Sequence, residues 1–196
     1  MKKENNFAFI DGQNLHFGTT KCAKCAKDIG IDIKSIKLEN CKCGSAWEID
    51  LASFRVYLSE NYGVTEAYYF LGYLDEKNDE LYKEVQRAGF IIVFKEHNAK
   101  AKSKKKGNID TDLVFEIMKN VADSLFDKVV LVSGDGDYKK VVYYLVEKGR
   151  FKKIFFPNKK YASSLYNSLG SEYFVQLEDL KSYIDKKEVS KKEKGS

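Results

Sequence analysis

Residues 129–137 have the sequence VVLVSGDGD, an apolar run of four residues followed by a glycine-containing turn with two aspartates, Asp135 and Asp137. A short apolar run with turn residues behind it is typical of a strand buried on both faces. Residues 7–11, FAFID, have the same construction, with Asp11 directly after the run. Two strands of this kind indicate a parallel sheet with acidic groups at its C-terminal edge.

Further strands and helices alternate along most of the chain. Apolar runs predict strands at 68–73, 90–94 and 154–156. Helical periodicity predicts helices over the ranges 51–58, 81–88, 113–126 and 138–145, with Asp50 as an N-cap and Gly63, Gly89 and Gly149 beyond helix ends. This alternation predicts an α/β fold with a mainly parallel central sheet.

The composition suits one soluble domain with a small insertion, because 43% of the 196 residues are hydrophobic and 32% are charged. No apolar run approaches the roughly 18 residues that a membrane span needs, and residues 1–6 have no signal-peptide core behind them. We therefore expect a cytoplasmic protein without a membrane partner. Thiols stay reduced in that compartment, so the four cysteines argue against a disulfide framework.

Five carboxylates come from three distant stretches: Asp11, Asp110, Asp112, Asp135 and Asp137. The ends of parallel strands and the starts of adjoining helices share one edge of an open sheet, so these groups should meet there. Like charges so close together need a counter-ion, and Mg²⁺ or Mn²⁺ prefers oxygen ligands. Such a cation polarises a phosphate and activates water for in-line attack.

Each of these residues also has a structural interpretation. Asp110 could cap a helix, an interaction worth about 1 kcal/mol. Asp135 and Asp137 could belong to a simple turn, since Asp and Gly both favour turns. Asn14 and Ser133 could be supporting donors or ordinary turn residues. The coincidence of the aspartates on one predicted edge favours the functional interpretation.

Three stretches resemble the signature motifs of the NYN family, in its LabA-like branch: FIDGQNL at 9–15, KGNIDTDL at 106–113 and VSGDGDY at 132–138. The resemblance covers roughly residues 6–183, apart from 21–46. It implies a three-layer PIN-like, Rossmann-type fold. It also implies that the five aspartates are metal-site positions, supported by Asn14 and Ser133.

The NYN family includes metal-dependent ribonucleases. The resemblance thus implies an endoribonuclease that hydrolyses phosphodiester bonds with metal-activated water, with RNA favoured over DNA as the partner. The alternative is a non-catalytic, nucleic-acid-binding regulatory module that keeps the metal pocket. The sequence leaves a homo-oligomer open.

Two other phosphate-handling classes fit less well. A haloacid-dehalogenase phosphatase needs a second aspartate two residues after the first strand-end aspartate, and Gln13 occupies that position. A TOPRIM enzyme shares a D-x-D motif with Asp135 and Asp137, but it needs a glutamate after an early strand, where this chain has Asp11.

Residues 21–46 break the strand–helix rhythm and carry every cysteine, as two close pairs: Cys22 with Cys25, and Cys41 with Cys43. Two short cysteine pairs supply the four thiolates of a tetrahedral Zn²⁺ site, so we expect a structural zinc in this insertion. Free reduced thiols or a redox C-x-x-C are the alternatives. Basic residues of the insertion would suit phosphates: Lys21, Lys24, Lys27 and Lys42.

The net charge is +5, from 34 basic and 29 acidic residues, and the lysines concentrate at 100–106 and 186–194. The first run precedes the acidic helix start, and we expect it to bind nucleic acid through Lys102, Lys104, Lys105 and Lys106. The second lies in a basic, flexible tail, 186–196, that follows a domain spanning 1–185. Solvated lysines kept for solubility are the alternative for both runs.

Three other residues are weaker candidates. His16 and His97 are the only histidines, and either could act as a general base, although a lone histidine is more often packed or exposed. Trp47 could stack on a base or seal the insertion against the domain.

Overall fold

The computed structural model describes residues 4–72, 74–95 and 109–194, with side chains described as far as residue 191. Its six strands form one sheet in the order β3-β2-β1-β4-β5-β6, and every neighbouring pair is parallel. The strands are β1 Asn6–Asp11, β2 Val64–Leu71, β3 Ile91–Phe94, β4 Val129–Val132, β5 Phe151–Phe156 and β6 Phe174–Gln176. The predicted α/β fold with a mainly parallel sheet is confirmed.

Helices connect these strands and cover the sheet. They are α1 Gly12–Thr20, α2 Ala23–Asp28, α3 Leu51–Tyr62, α4 Asp79–Arg87, α5 Ile109–Ala122, α6 Lys139–Glu147, α7 Lys181–Ile184 and α8 Lys186–Lys194. None of the helices within the described ranges has the length and apolar character of a membrane span.

Two hydrophobic cores lie on opposite faces of the sheet. On one face, α1, α3 and α4 contribute buried residues such as Leu15, Phe54 and Val85. On the other face, α5 and α6 contribute buried residues such as Leu113 and Val142. The central strands β1 and β4 are buried along their whole length because helices cover both of their faces. The result is the three-layer arrangement that the resemblance implied.

Helix α3 begins and ends where the sequence predicts. The Asp50 side chain accepts a hydrogen bond from the Ser53 amide at 2.8 Å, and Gly63 takes the left-handed conformation, with φ of 63°, at the C-terminus. Helix α5 is shorter than predicted. It ends at Ala122, and the chain turns at Ser124, where φ is 54°, so that Phe126 reaches the core from the following loop.

The cysteine-rich insertion has its own small core, formed by Cys22, Cys25, Ala26, Ile36 and Ala46. The main domain resumes at Trp47, whose amide donates to the Thr19 carbonyl at 2.9 Å. Trp47 is 3% exposed and packs in the main core. Its position agrees with the sealing interpretation and leaves no ring face for a base.

The predicted basic tail is helical from Lys186 to Lys194. The Lys186 side chain forms ion pairs with Glu48 at 3.0 Å and with Glu84 at 3.1 Å. These ion pairs attach the start of α8 to the domain. The mobility of the segment stays a prediction, as do the domain boundaries.

Candidate metal centre

The strand order reverses direction between β1 and β4. From this point the chain extends the sheet to β2 and β3 on one side, and to β5 and β6 on the other. Ile10 of β1 lies beside Val132 of β4, so the residues that follow them, Asp11 and Ser133, adjoin at the C-terminal edge. Open α/β sheets bind ligands in the crevice at such a reversal.

Asp11 is held at this crevice by two hydrogen-bond donors and by a contact with Tyr138. Its Oδ1 accepts a hydrogen bond from the Asn14 amide at 2.9 Å, which makes Asp11 the N-cap of α1. Its Oδ2 accepts from the Ser133 hydroxyl at 3.4 Å and lies 3.2 Å from the Tyr138 hydroxyl. Burial raises the pKa of Asp11 to about 6; the Asn14 amide opposes this shift, and the nearby Asp110 carboxylate adds to it.

Three further carboxylates meet in front of this edge. Asp110 is the second residue of α5, and Asp135 and Asp137 lie in the turn after β4. Each offers a carboxylate oxygen, and these oxygens lie within 4.8 Å of one another. In the parts of the chain that the structure describes, no ion pair joins any of the three to a lysine or arginine.

A divalent cation fits this donor set. All of the converging ligand atoms are carboxylate oxygens, which Mg²⁺ and Mn²⁺ prefer to nitrogen or sulfur. Three like charges at this separation repel one another, and a cation bound among them removes that repulsion. We refer to Asp110, Asp135 and Asp137 as the acidic cluster.

The other predicted site residues have different positions. Asp112 lies outside the acidic cluster, because two residues along a helix correspond to a rotation of about 200° away from Asp110. Asn14 accepts a hydrogen bond from the Gly134 amide at 2.8 Å through its Oδ1, and the Ser133 hydroxyl accepts from the Asp135 amide at 3.1 Å. Both side chains therefore fix the turn that presents Asp135.

Tyr138 is a residue that sequence reasoning missed. Its hydroxyl lies 2.6 Å from Asp110 Oδ1 and 3.2 Å from Asp11 Oδ2, and the side chain is fully buried. Burial, with the nearby carboxylates of Asp11 and Asp110, raises the pKa of Tyr138, so the hydroxyl keeps its proton. The available signal was its place directly after Asp137, but it also begins the apolar stripe over residues 138–145, which indicated a core residue.

The four cysteines converge in the insertion. The Sγ atoms of Cys22 and Cys43 are 3.4 Å apart, those of Cys41 and Cys43 are 3.6 Å apart, and those of Cys25 and Cys41 are 3.9 Å apart. A tetrahedral Zn²⁺ with Zn–S bonds of about 2.3 Å needs sulfurs about 3.8 Å apart. Backbone amides of Cys25 and Ala46 donate to the sulfurs of Cys22 and Cys41. The cluster therefore has zinc-site geometry.

The thiols within this cluster are not equivalent. Burial raises the pKa of Cys22 to about 11. Hydrogen bonding with Ser45 lowers the pKa of the exposed Cys43 to about 6. None of the four cysteines forms a disulfide.

The remaining predicted residues lie away from the acidic cluster or outside the described part of the chain. The ring of His16 contacts its own helix, with Nε2 3.3 Å from Thr20 Oγ1. The structure does not describe residues 96–108. His97 falls in this range, and so do the four lysines predicted to bind nucleic acid: Lys102, Lys104, Lys105 and Lys106.

Comparison with known proteins identifies relatives of this chain. The sequence profile of the NYN domain matches residues 7–178. The "Low amplitude and bright protein LabA" of Synechococcus elongatus is 23% identical over 132 residues, which cover 64% of this chain and 69% of the relative. A protein of unknown function from Vibrio parahaemolyticus has a similar crystal structure, with a TM-score of 0.62 and 18% identity over 94% of this chain and 99% of that one. The latter likeness concerns the fold alone.

Proposed function

This chain belongs to the NYN domain family, and on that premise we propose that it is a metal-dependent nuclease, and more narrowly an endoribonuclease. The observation that carries the proposal is the acidic cluster, three carboxylates within 4.8 Å of one another at the reversal of strand order. NYN domains are generally nucleases of the PIN-like class, and PIN-like nucleases generally use divalent metals. RNA as the preferred substrate rests on the three motifs.

Each side chain has a proposed role. Asp110, Asp135 and Asp137 would hold an Mg²⁺ or Mn²⁺ ion, which would supply polarisation of the scissile phosphate and activation of water. Asp11 lies behind them and anchors the edge through Asn14, Ser133 and Tyr138. Because Asp137 is exposed, a phosphodiester backbone can reach the cluster from solvent.

We also propose that the cysteines bind a structural zinc. Four thiolates leave no coordination position open for substrate, so the metal would fold the insertion rather than catalyse. Tyr161 adjoins the first cysteine pair and also the turn of the acidic cluster. Its hydroxyl accepts a hydrogen bond from the Ala23 amide, and its carbonyl oxygen lies 3.3 Å from the point where a side chain at Gly134 would begin. The zinc module would therefore lie beside the path of the nucleic acid.

Cleavage of labelled RNA and DNA, with and without Mn²⁺, tests the main proposal. The comparison uses the wild type, Asp135→Asn and the control Asp123→Asn, which neutralises an exposed aspartate just beyond the C-terminus of α5. We expect Mn²⁺-dependent cleavage of RNA by the wild type and by the control. Asp135→Asn should be inactive, because one ligand of the cluster is lost.

Two results would contradict the nuclease proposal. Cleavage that persists in Asp135→Asn would show that another site, or a contaminant, cuts the RNA. Wild type that binds Mn²⁺ and RNA without cutting either nucleic acid would support the alternative, a non-catalytic regulatory module.

A further inference from the structure

Tyr138 joins three parts of the chain at one atom. Its hydroxyl contacts Asp11 at the end of β1 and Asp110 at the start of α5, while its own backbone follows the turn of Asp135 and Asp137. These contacts bridge 127 and 28 residues of sequence. No other described residue hydrogen-bonds through its side chain to both Asp11 and Asp110.

The hydrogen-bond geometry favours Asp110 as the acceptor. A phenol has one proton to donate, and the distance to Asp110 is shorter, at 2.6 Å against 3.2 Å. Bonds from a hydroxyl to a carboxylate are short and strong, particularly where water is excluded, and Tyr138 is fully buried. The hydroxyl therefore fixes the orientation of the Asp110 carboxylate.

Asp110 needs such a fixing contact. It lies in the first turn of α5, and it must remain close to Asp135 and Asp137 although the three like charges repel one another. A carboxylate has two oxygens with about four lone-pair sites, so a hydrogen bond to Oδ1 leaves capacity for a cation.

We infer that Tyr138 is a positioning residue for the metal site: its hydroxyl holds the Asp110 carboxylate in place beside Asp135 and Asp137. This inference rests on the proposed function. The ring of Tyr138 is a core group, whereas the hydroxyl acts through Asp110. Groups that orient a metal ligand commonly contribute about 10-fold to 100-fold in metal affinity or activity.

The test compares Tyr138→Phe with the control Tyr143→Phe. Both lose one hydroxyl and keep the ring, but the Tyr143 hydroxyl contacts Ser168 and Leu165, away from the carboxylates. Mn²⁺ binding is measured by calorimetry below the melting temperature of each variant. We expect a dissociation constant at least 10-fold higher for Tyr138→Phe and an unchanged one for Tyr143→Phe. Raised Mn²⁺ should restore most of the cleavage rate of Tyr138→Phe.

A second comparison separates positioning from a general loss of structure. If Tyr138 acts through Asp110, adding Tyr138→Phe to Asp110→Asn should weaken Mn²⁺ binding by less than 2-fold beyond Asp110→Asn alone. The inference would be overturned if the two substitutions weakened Mn²⁺ binding independently, so that their fold-changes multiplied in the double variant. A Mn²⁺ affinity of Tyr138→Phe within 2-fold of wild type would also overturn it. Wild type that binds Mn²⁺ without cleaving RNA would sink the nuclease proposal and leave the affinity comparison decisive. Wild type that does not bind Mn²⁺ would overturn both.

Discussion

Asp11 and Asp137 carry the same side chain in different surroundings. Asp11 is 4% exposed and accepts hydrogen bonds from the Asn14 amide and the Ser133 hydroxyl. Asp137 is exposed and lies within 4.8 Å of two other carboxylates. Removing a buried acceptor leaves its donors unsatisfied, which destabilises the fold, whereas a carboxylate held beside like charges destabilises the metal-free protein. The two residues should therefore respond differently to substitution.

We predict opposite stability changes for these two aspartates. Asp137→Asn should leave the metal-free unfolding free energy unchanged or slightly raised, because repulsion within the acidic cluster falls. Asp11→Ala should lower it by about 1–3 kcal/mol, because α1 loses its N-cap and the Ser133 hydroxyl loses an acceptor. Denaturant titration with a chelator present measures both. Equal destabilisation by the two substitutions would make Asp137 an ordinary turn residue.

A second prediction concerns Glu4 and pH. Hydrogen bonding from Lys152, with further bonds from Asn6 and Lys128, lowers the pKa of Glu4 from 4.5 to about 2. A lowered folded-state pKa stabilises the protein above the unfolded value, so this contribution is present above about pH 4.5 and is lost as the pH falls towards 2. Glu4→Gln should cost about 1 kcal/mol or less at pH 7, since the side chain is partly exposed and screened by water.

Denaturation curves at several pH values check this prediction against Glu60→Gln, which neutralises an exposed glutamate on α3. The difference between Glu4→Gln and wild type should shrink below pH 4.5, and Glu60→Gln should show little difference at any pH. A deficit in Glu4→Gln that persists unchanged to pH 2 would mean that packing, not charge, explains it.

At the residue scale, sequence reasoning could place aspartates but not tyrosines. An acidic residue at the end of a predicted strand has an edge position that follows from the strand itself. The role of the Tyr138 hydroxyl depends on partners 28 and 127 residues away, and its ring satisfies an apolar pattern as well as phenylalanine would. Asp112 shows that an acidic residue near a site in sequence need not belong to it. It lies two residues from Asp110 but outside the acidic cluster.

At the scale of elements, the helices with long apolar stripes were predictable, whereas α1, which buries mainly small residues, was not. Helix α1 buries mostly small or polar side chains, among them Gly18, Thr19 and Thr20, so a search for apolar periodicity overlooks it. Strand β6 has three half-buried residues and gives too short a signal. Helix α5 ended four residues before its predicted end because the chain turns after Ala122, although Phe126 still fits the stripe.

The cysteine insertion supplies a prediction at this scale. Purified protein should contain about one zinc per chain, held by four thiolates. Cys41→Ser should lose the zinc and loosen residues 21–46, while the main sheet stays folded, because the small core around Cys22 is separate from the two main cores. Metal analysis, limited proteolysis and circular dichroism measure these three effects.

The matched control for the insertion is Ser35→Ala, an exposed change in the same segment that touches no cysteine. It should keep the zinc and the protease resistance of the wild type. Protein that has never met a chelator and yet contains no zinc would disprove the structural-zinc proposal, and the cysteines would then be free reduced thiols.

At the scale of the whole molecule, the topology assembles the site. Ser133 and Asp11 are 122 residues apart in sequence and hydrogen-bonded in space. The parallel strands made it predictable that their C-terminal ends share an edge. The order of the strands in the sheet was not predictable, and this order makes β1 and β4 neighbours. The same topology orients the helices α4, α5 and α6. Each connects two parallel strands, so each starts towards the edge that carries the acidic cluster and ends towards the opposite edge.

Because of this arrangement, the position of a lysine should matter more for nucleic-acid binding than the net charge of the protein. The lysines of the segment 100–106 come shortly before Asp110 in the sequence. Basic residues at the C-terminal ends of helices lie towards the far edge: Arg87, Lys119 and Lys148. A nucleic acid bound at the cluster should contact the first group and not the second.

Replacing Lys102, Lys104 and Lys105 with glutamine should therefore weaken RNA binding and flatten its salt dependence. Each phosphate contact that is lost should reduce the slope of log affinity against log salt by about 0.7 for a single strand, so three contacts give a change of about 2. The control replaces Arg87, Lys119 and Lys148 with glutamine and removes the same total charge. Because exposed charges further apart than roughly 10 Å are largely screened in 0.1 M salt, the control should hardly change the slope. An equal reduction of the salt slope in both triple variants would mean that net charge alone attracts RNA. An unchanged RNA affinity in both variants would mean that the lysines of 100–106 serve only solubility.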